Sequence, residues 1–203
     1  HRDLHSFPTR RSSDLPFIGG VPWDRTFLFQ ADERCVPSGD PASNLLMIRD
    51  ILLNRVPIPE GNVFCVRGEI GPDQASVYYE DRIVRFFEHR NRMRGGFPVF
   101  DLVVLGVGVD GHTASLFPGS PALRESRRVV VPAEAPDRYA PKMRVALTLP
   151  VINSAEKVIF LVPGAEKRDI VRRLFDSGSQ VSDLRAARVD PPGECTCFTG
   201  FEP

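Results

Sequence analysis

The stretch from Asp101 to Gly119 reads DLVVLGVGVDGHTASLFPG. Its apolar run, residues 102–105, lies between an acidic residue and a glycine, a pattern typical of a buried strand in a parallel sheet. Three glycines in the following turn permit positive φ and close approach of the backbone to a ligand; they are Gly106, Gly108 and Gly111. Open α/β sheets bind small ligands at this carboxyl edge. The stretch therefore predicts a strand followed by a ligand-binding turn.

The same turn carries a carboxylate and an imidazole, at Asp110 and His112. An unperturbed histidine has a pKa of about 6.5, so a neutral imidazole is available near physiological pH as a general base. Asp110 stands just before the histidine and could orient its ring. The alternative is an ordinary strand-to-helix turn in which both residues are incidental, because a glycine pair alone is weak evidence for a site.

Composition and charge exclude several classes of function. The chain has 203 residues, enough for one domain, and its 26 basic and 26 acidic residues give a net charge of zero. No general field therefore favours nucleic acid or an anionic membrane as a partner. No apolar run approaches the length of about 20 residues that a membrane span needs, and no signal peptide is recognisable. We expect a cytoplasmic enzyme.

The cysteines do not indicate a metal site. Cys195 and Cys197 stand one residue apart, a spacing unsuited to the usual zinc ligand pairs, and Cys35 and Cys65 are isolated. We interpret all of them as small buried or surface thiols in a reducing compartment, and we expect no bound metal ion.

Strand and helix patterns alternate along the rest of the chain. Branched or aromatic apolar runs predict strands at residues 26–29, 128–131, 144–149 and 158–162. Helical spacing of apolar residues predicts helices after a cap at residues 43–44, over residues 73–92 and from residue 164. Such alternation predicts a doubly wound, Rossmann-like α/β fold with a mostly parallel sheet.

Charged side chains lie near the ends of the predicted strands. They are Asp32 and Arg34, Asp110 and His112, Arg144, and Lys167. Because the carboxyl ends of parallel strands meet at one edge of a sheet, these groups can share a crevice, although their spacing alone does not prove it. A helix amino terminus together with an arginine and a lysine favours a phosphate dianion. The sequence therefore predicts that Arg144 and Lys167 bind phosphate.

Residues 1–15 differ in character from the rest of the chain. They show no apolar periodicity, and they back-translate without a mismatch into a widely used short-read sequencing adapter. We interpret them as a translated artefact and expect them to be disordered, so they lie outside fold reasoning. The alternative is a disordered native tail. A single α/β domain is then expected to occupy residues 16–203.

Three blocks of the sequence carry a specific resemblance. They are DERCVP at residues 32–37 with Ser43 and Asn44, the loop DGHTASLFP at residues 110–118, and RVALT at residues 144–148 with GAEK at residues 164–167. In these blocks the chain is similar to the 6-phosphogluconolactonases of the glucosamine-6-phosphate isomerase and lactonase superfamily. The resemblance covers roughly residues 23–189.

The resemblance implies hydrolysis of 6-phosphoglucono-1,5-lactone to 6-phosphogluconate, a step of the oxidative pentose phosphate pathway, without a metal or organic cofactor. It implies that His112 activates water and that Asp110 orients it. Catalytic roles also fall to Asp32 and Arg34. The other matched residues are implied to bind the substrate or its phosphate: Arg144, Lys167, Gly106, Gly108, Gly111, Ser43 and Asn44. We expect a monomer or weak oligomer whose partner is a small sugar phosphate.

The sequence departs from the family pattern at both ends. The family begins with a strand and a glycine-rich phosphate-binding loop, and Gly19 and Gly20 are no convincing substitute because no strand precedes them. Residues 194–201 do not follow the family's usual aromatic and acidic ending. We therefore expect an N-terminally truncated domain that lacks the first strand and phosphate loop and is less stable and less active than a complete one.

Two other functions stay open, a glucosamine-6-phosphate deaminase and a noncatalytic sugar-phosphate sensor. Deaminases of this superfamily typically have tyrosine where Arg34 stands, and their loop continues to a carboxylate that residues 115–118 lack. Sensor domains of some transcription regulators share the fold, but this chain has no DNA-binding helix pair. Lactone hydrolysis is therefore the favoured interpretation.

Overall fold

The structure is a computed structural model that describes residues 2–6, 18–175 and 189–201. Its strands follow one another along the chain as β1 (Arg2–Ser6), β2 (Leu28–Phe29), β3 (Asp32–Arg34), β4 (Val63–Phe64), β5 (Met93–Arg94), β6 (Phe97–Pro98), β7 (Val103–Leu105), β8 (Val130–Glu134), β9 (Met143–Leu147), β10 (Lys157–Val162) and β11 (Glu194–Thr199). Its α-helices are α1 (Asn44–Ile51), α2 (Pro72–His89), α3 (Leu149–Asn153) and α4 (Arg168–Phe175). The predicted α/β class is confirmed. None of the described helices is both long and apolar enough to span a membrane.

Two sheets make up most of the fold. The first is parallel, with strand order β1-β11-β10-β7, and the second is antiparallel, with order β3-β9-β8. Two short pairs accompany them, a parallel pair of β2 with β4 and a hairpin of β5 with β6. The predicted mostly parallel sheet is therefore seen only in part. The antiparallel sheet was not predicted, because an apolar run indicates a strand but does not indicate the direction of the strands that pair with it.

The first helix begins as the sequence predicts. Ser43 has an extended backbone (φ −73°, ψ 130°), and its Oγ accepts a hydrogen bond from the Leu46 amide at 3.3 Å. This bond satisfies one of the amide groups that the first turn leaves without a partner. Ser43 therefore fixes the start of α1, and with it the position of Asn44 at the first helical residue.

The long helix α2 packs its apolar face on the core. Tyr79, Ile83 and Phe87 are buried there, at helical spacing, as predicted. The hydroxyl of Tyr79 donates a hydrogen bond to the carbonyl oxygen of Gln30 at 2.9 Å. Because Gln30 connects β2 to β3, this bond anchors the chain immediately before the charged residues of β3.

The parallel sheet includes strands from both ends of the chain, although the sequence predicted that these ends would differ from the rest of the domain. Residues Glu194–Thr199 form β11, in which Cys195 and Cys197 are buried and pair in register with Val158 and Phe160 of β10. Arg2–Ser6 form β1 on the other side of β11, which differs from the disorder expected of residues 1–15. A parallel ladder is built from backbone groups, so it does not require an apolar side-chain pattern. Residues 7–15 lie outside the described residues.

The strand β7 is buried on one face only. Val103 and Leu105 are 5% and 3% exposed, whereas Leu102 and Val104 are 47% and 49% exposed. The apolar run had predicted burial on both faces. Successive side chains of a strand point to opposite faces, and here Val104 on the exposed face lines the cleft described next.

Candidate active site

A cleft of about 470 Å³ opens at the carboxyl end of β7, beside β3 and β9. It is lined by most of the residues that the sequence singled out: Asp32, Arg34, Asn44, Gly106, Gly108, His112, Arg144 and Lys167. Ser43, Asp110 and Gly111 are not in its wall. Residues that sequence reasoning did not assign to the site also line it, among them Ser115, Phe117 and Tyr139.

The polar groups reach this cleft by two different routes. The loop with His112 follows β7, and Lys167 follows β10, so both stand at carboxyl ends of parallel strands as predicted. Asp32 and Arg34, however, belong to β3 itself, and Arg144 belongs to β9. These two strands are antiparallel, with Arg34 opposite Arg144. The expectation that all the groups come from one edge of a parallel sheet is wrong for these three residues.

Asp110 and His112 form a hydrogen-bonded pair. The Nδ1 atom of His112 lies 2.5 Å from Asp110 Oδ1, and the His112 amide donates to the same oxygen at 3.2 Å. The turn that joins them is closed by two backbone bonds, from the Gly108 amide to the His112 carbonyl (2.8 Å) and from the Gly111 amide to the Gly108 carbonyl (2.9 Å). Gly111 has a φ of +80°, a region that favours glycine.

Gly108 allows the histidine ring to lie directly against the backbone. A Cβ atom at this position would come within 2.2 Å of His112 Cε1 and Nδ1, and within 2.8 Å of Asp110 Oδ1. A side chain at residue 108 and the observed position of the imidazole therefore exclude each other. Gly106 has no such constraint, because its nearest atom would be 4.0 Å away.

The second oxygen of Asp110 is also occupied. Arg138 Nη2 donates to Asp110 Oδ2 in a short ion pair, and the hydroxyl of Tyr139 donates to the same atom at 3.3 Å. Burial by itself raises the pKa of Asp110, but the hydrogen bonds and charge of His112, with the bond from Arg138, outweigh it and lower the pKa below its ordinary value. Asp110 is therefore a carboxylate at neutral pH.

This arrangement determines which nitrogen of His112 can react. An ionised carboxylate only accepts hydrogen bonds, so a neutral imidazole beside it carries its proton on Nδ1. The lone pair is then on Nε2, while the ring itself lines the cleft. A histidine oriented in this way is equipped to take a proton from water.

Two arginines face each other across the β3 and β9 strands without carboxylate partners. Arg144 is 5% exposed, and the Nε atoms of both Arg34 and Arg144 are buried without a hydrogen-bond partner. Among the described residues neither guanidinium forms an ion pair, and the Arg34 guanidinium donates to the Ala42 carbonyl at 2.8 Å. Burial, and next the charge of Arg34, lowers the pKa of Arg144, although an arginine stays charged at neutral pH. Such a pair is complementary to an anion.

Asp32 lies near Arg34 and Arg144 and forms hydrogen bonds with other residues of the cleft wall. The hydroxyl of Ser115 donates to Asp32 Oδ2 at 2.6 Å, and Asn44 Nδ2 donates to the Asp32 carbonyl at 3.1 Å. Burial raises the pKa of Asp32, while the bond from Ser115 and the charges of Arg34 and Arg144 act in the opposite direction. Ser115 belongs to the DGHTASLFP block of the sequence, but no role in the site was predicted for it.

Glu33 connects β3 to the start of α1 beside the cleft. This role was not predicted from the sequence. Glu33 is 2% exposed, and its carboxylate accepts five hydrogen bonds. The donors are the amides of Arg34, Asn44 and Leu45, the Gln30 side chain and the Ser43 hydroxyl. Because these bonds join β3 to the start of α1, Glu33 fixes Asp32 and Arg34 relative to Asn44.

We expect the substitution Glu33→Gln to lower the free energy of unfolding by about 2 to 4 kcal/mol, because the new amide group would face donors and leave them without acceptors. Urea unfolding should show a lower midpoint with an unchanged slope. Glu69→Gln is the control, since Glu69 is 41% exposed and its one ion pair among the described residues is with Arg67. A change at Glu33 no larger than at Glu69 would contradict the anchoring role.

The described residues offer no evident metal site. No group of three or more histidine, cysteine, aspartate or glutamate side chains suited to a metal ion occurs within residues 2–6, 18–175 and 189–201. Cys195 and Cys197 are buried and unbridged, and burial raises the pKa of Cys197 to about 12.

Comparison with known proteins identifies the family of the chain. A family model described as glucosamine-6-phosphate isomerases/6-phosphogluconolactonase matches residues 7–198. A 6-phosphogluconolactonase from Synechocystis sp. is 37% identical over 175 residues, covering 86% of this chain and 70% of the relative. A probable 6-phosphogluconolactonase 4, chloroplastic, from Oryza sativa subsp. indica is 34% identical over 195 residues, covering 94% of this chain and 60% of the relative. The chain thus spans 60% to 70% of the length of these relatives.

A solved structure agrees with these sequence matches. The 6-phosphogluconolactonase from Trypanosoma brucei superposes with a TM-score of 0.71 at 30% identity, covering 84% of this chain and 70% of that chain. The family model extends to residue 198, so it includes most of β11, where the sequence had suggested a departure. The chain belongs to the family of glucosamine-6-phosphate isomerases and 6-phosphogluconolactonases.

Proposed function

We propose that the protein hydrolyses 6-phosphoglucono-1,5-lactone to 6-phosphogluconate, in the oxidative pentose phosphate pathway. The observation that carries this proposal is the presence, in one cleft, of a histidine held by a carboxylate and of two arginines whose Nε atoms are buried and which form no ion pair with any described residue. A lactone phosphate needs both a base that activates water and fixed positive charge. The names of the relatives from Synechocystis sp. and Trypanosoma brucei support the same reaction.

The proposed mechanism begins with proton transfer from water to Nε2 of His112. The water oxygen forms a bond to the lactone carbonyl carbon, and the carbonyl becomes a tetrahedral oxyanion. The ring C–O bond then breaks, and the imidazolium returns its proton to the departing ring oxygen, which yields the open carboxylic acid. Asp110 keeps the ring oriented and stabilises the imidazolium through Nδ1.

Positive charge is divided between the reacting centre and the phosphate. We assign Arg34 to the developing oxyanion, beside the Asp32 group that fixes Ser115 and Asn44. Arg144 and Lys167 are assigned to the phosphate, and Gly106, Gly108 and Gly111 shape the turn. Preorganised cations act strongly in such a half-buried site, because they need no reorganisation when charge develops.

We expect Arg144→Gln to raise KM for the phosphorylated lactone by about tenfold or more, the effect of losing one charged hydrogen-bonding group. The same change should matter little for unphosphorylated gluconolactone. Because Arg144 is a buried cation opposite Arg34, its removal should leave the melting temperature unchanged or higher. Steady-state kinetics on both lactones, with melting curves, measure these effects.

Arg85→Gln is the matched control for this substitution, since Arg85 is exposed on α2 and pairs with Asp81 of the same helix. Its kinetics should equal those of the unmodified protein. Equal losses on the phosphorylated and unphosphorylated lactones after Arg144→Gln would show that Arg144 does not recognise phosphate.

A direct assay tests the function as a whole. The protein is incubated with freshly prepared 6-phosphogluconolactone and, separately, with glucosamine 6-phosphate, and spontaneous lactone opening is subtracted. We expect hydrolysis of the lactone and no release of ammonia from the amino sugar. Deamination of glucosamine 6-phosphate would favour the isomerase branch of the family, and binding of sugar phosphates without turnover would favour a sensor.

The remaining expectations are part of the proposal. We propose that residues 16–203 form one doubly wound domain and that residues 1–15 are a translated adapter. We also propose that the protein is cytoplasmic and that it is a monomer or a weak oligomer. The shared core of α2 and the two sheets supports the single domain. Sedimentation tests the association state, and genomic DNA upstream of the Pro16 codon tests the adapter. Cell fractionation tests the location, and recovery from plastids would overturn it.

A further inference from the structure

The loop that joins β8 to β9, residues 135–142, contacts the Asp110–His112 pair through Arg138 and Tyr139. Arg138 donates to Asp110 Oδ2 in an ion pair, and the Tyr139 hydroxyl donates to the same atom at 3.3 Å. On the other side of the carboxylate, Oδ1 binds Nδ1 and the amide of His112. Asp110 therefore has a donor on every side, and rotation of the carboxylate would break bonds at both oxygens.

Tyr139 of this loop and Phe117 also lie against the histidine ring. The ring of Tyr139 lies 5.3 Å from that of His112 at an angle of 77°, and Phe117 lies 4.5 Å from it on a tilted face. The guanidinium of Arg138 lies over the Tyr139 ring at 5.0 Å. Arg138 thus contacts both the carboxylate and the aromatic residue that confines the imidazole.

We propose that Arg138 and Tyr139 are positioning residues that hold Asp110 and His112 in the orientation required for proton transfer at Nε2. This inference rests on the proposed lactonase function. Arg138 pairs with Oδ2 of Asp110, so Oδ1 is left for Nδ1 of His112. Tyr139 limits rotation of the imidazole, and together they keep the lone pair of Nε2 directed at the reacting water.

The exposed fraction of the Arg138 side chain distinguishes a positioning role from a role in the stability of the fold. The side chain of Arg138 is 57% exposed, whereas that of Asp110 is 15% exposed. Ion pairs with one exposed partner contribute little to stability, so removing Arg138 should leave the fold intact. A loss of turnover without a loss of stability would therefore report on orientation.

Kinetics of loop variants test the proposal. We expect Arg138→Gln to lower kcat by about tenfold, with KM within about twofold of the unmodified value, because a small misplacement of the base slows the chemical step. Arg138→Lys should recover part of the loss. Tyr139→Phe, which keeps the ring and removes the hydroxyl, should lower kcat by about threefold. A rise in KM alone, or an unchanged kcat after Arg138→Gln, would overturn the proposal.

Lys142→Gln is the control within the same loop. Lys142 pairs with Asp137 at 2.5 Å, and that carboxylate is exposed and does not contact the cleft. We expect unchanged kinetics after this substitution. An equal loss of kcat in Lys142→Gln and Arg138→Gln would show that the loop acts through its general conformation and would overturn the role of Arg138.

A second measurement does not depend on turnover. Nitrogen-15 NMR of the imidazole, assigned by comparison with a His112→Asn sample, reports which ring nitrogen carries the proton; the chain has four histidines. We expect the Nδ1–H form in the unmodified protein and a larger share of the Nε2–H form after Arg138→Gln. An unchanged tautomer ratio would overturn the positioning role. Loss of the proposed function, in contrast, would show as absent lactone turnover with the tautomer effect intact.

Discussion

Replacing His112 by asparagine should lower kcat for lactone hydrolysis by about 10²- to 10⁴-fold, the usual contribution of a general base. Asparagine can still accept a bond from a backbone amide and fill much of the same space, but it cannot take a proton from water at neutral pH. The measurement is initial-rate hydrolysis of 6-phosphogluconolactone, corrected for spontaneous opening. The melting temperature should change little, because His112 is held mainly by Asp110 and aromatic contacts.

His89→Asn is the matched control for this experiment. His89 ends α2 and is exposed, so its replacement should leave both rate and stability unchanged. Activity of His112→Asn above about half of the unmodified rate would show that another group activates the water.

Replacing Gly108 by alanine should lower kcat by about 10²-fold through geometry alone. The new methyl group would lie 2.2 Å from the imidazole, so the ring must move and lose its bond to Asp110. The clash is with a side chain rather than with the backbone, and the fold can therefore survive. We expect a loss of stability of about 1 to 3 kcal/mol, the usual cost of overpacking.

Gly61→Ala is the control for Gly108→Ala, because a Cβ at residue 61 would meet no atom within 4 Å. Unfolding curves and kinetics should be measured for both variants. If Gly108→Ala retained its full rate, the observed position of the histidine ring would not be the one that reacts.

The glycine-rich turn was predictable because its chemistry is local. The positions of Gly108, Gly111, Asp110 and His112 follow from consecutive residues, and the structure closes that turn with bonds among the same residues. The cap at Ser43 and the apolar face of α2 were predictable for the same reason. Local spacing carries these features whatever the rest of the chain does.

Features that depend on distant partners were not predictable. The charged residues Asp32–Arg34 show no apolar alternation, and they form a strand only because β9 pairs with them. The contact of Arg138 with Asp110 depends on where the loop 135–142 packs against the turn that carries His112. Glu33 stands in the charged block at residues 32–37, but most of its five hydrogen bonds depend on residues at the start of α1 and in the segment before β3 and could not be predicted from that block.

The pairing of β3 with β9 has a consequence for how the protein folds. Asp32 lies opposite Ala146, and Arg34 lies opposite Arg144. The part of the cleft built on β3 and β9 therefore cannot form until β9, which is synthesised much later than β3, has paired with it. Chains rich in such distant pairings fold slowly, because a long loop must close before the contacts stabilise it. The two arginines must also approach each other as like charges before any substrate is present. We therefore expect assembly of the cleft to be a late step of folding, with the β9-facing edge of β3 open to wrong partners until that step.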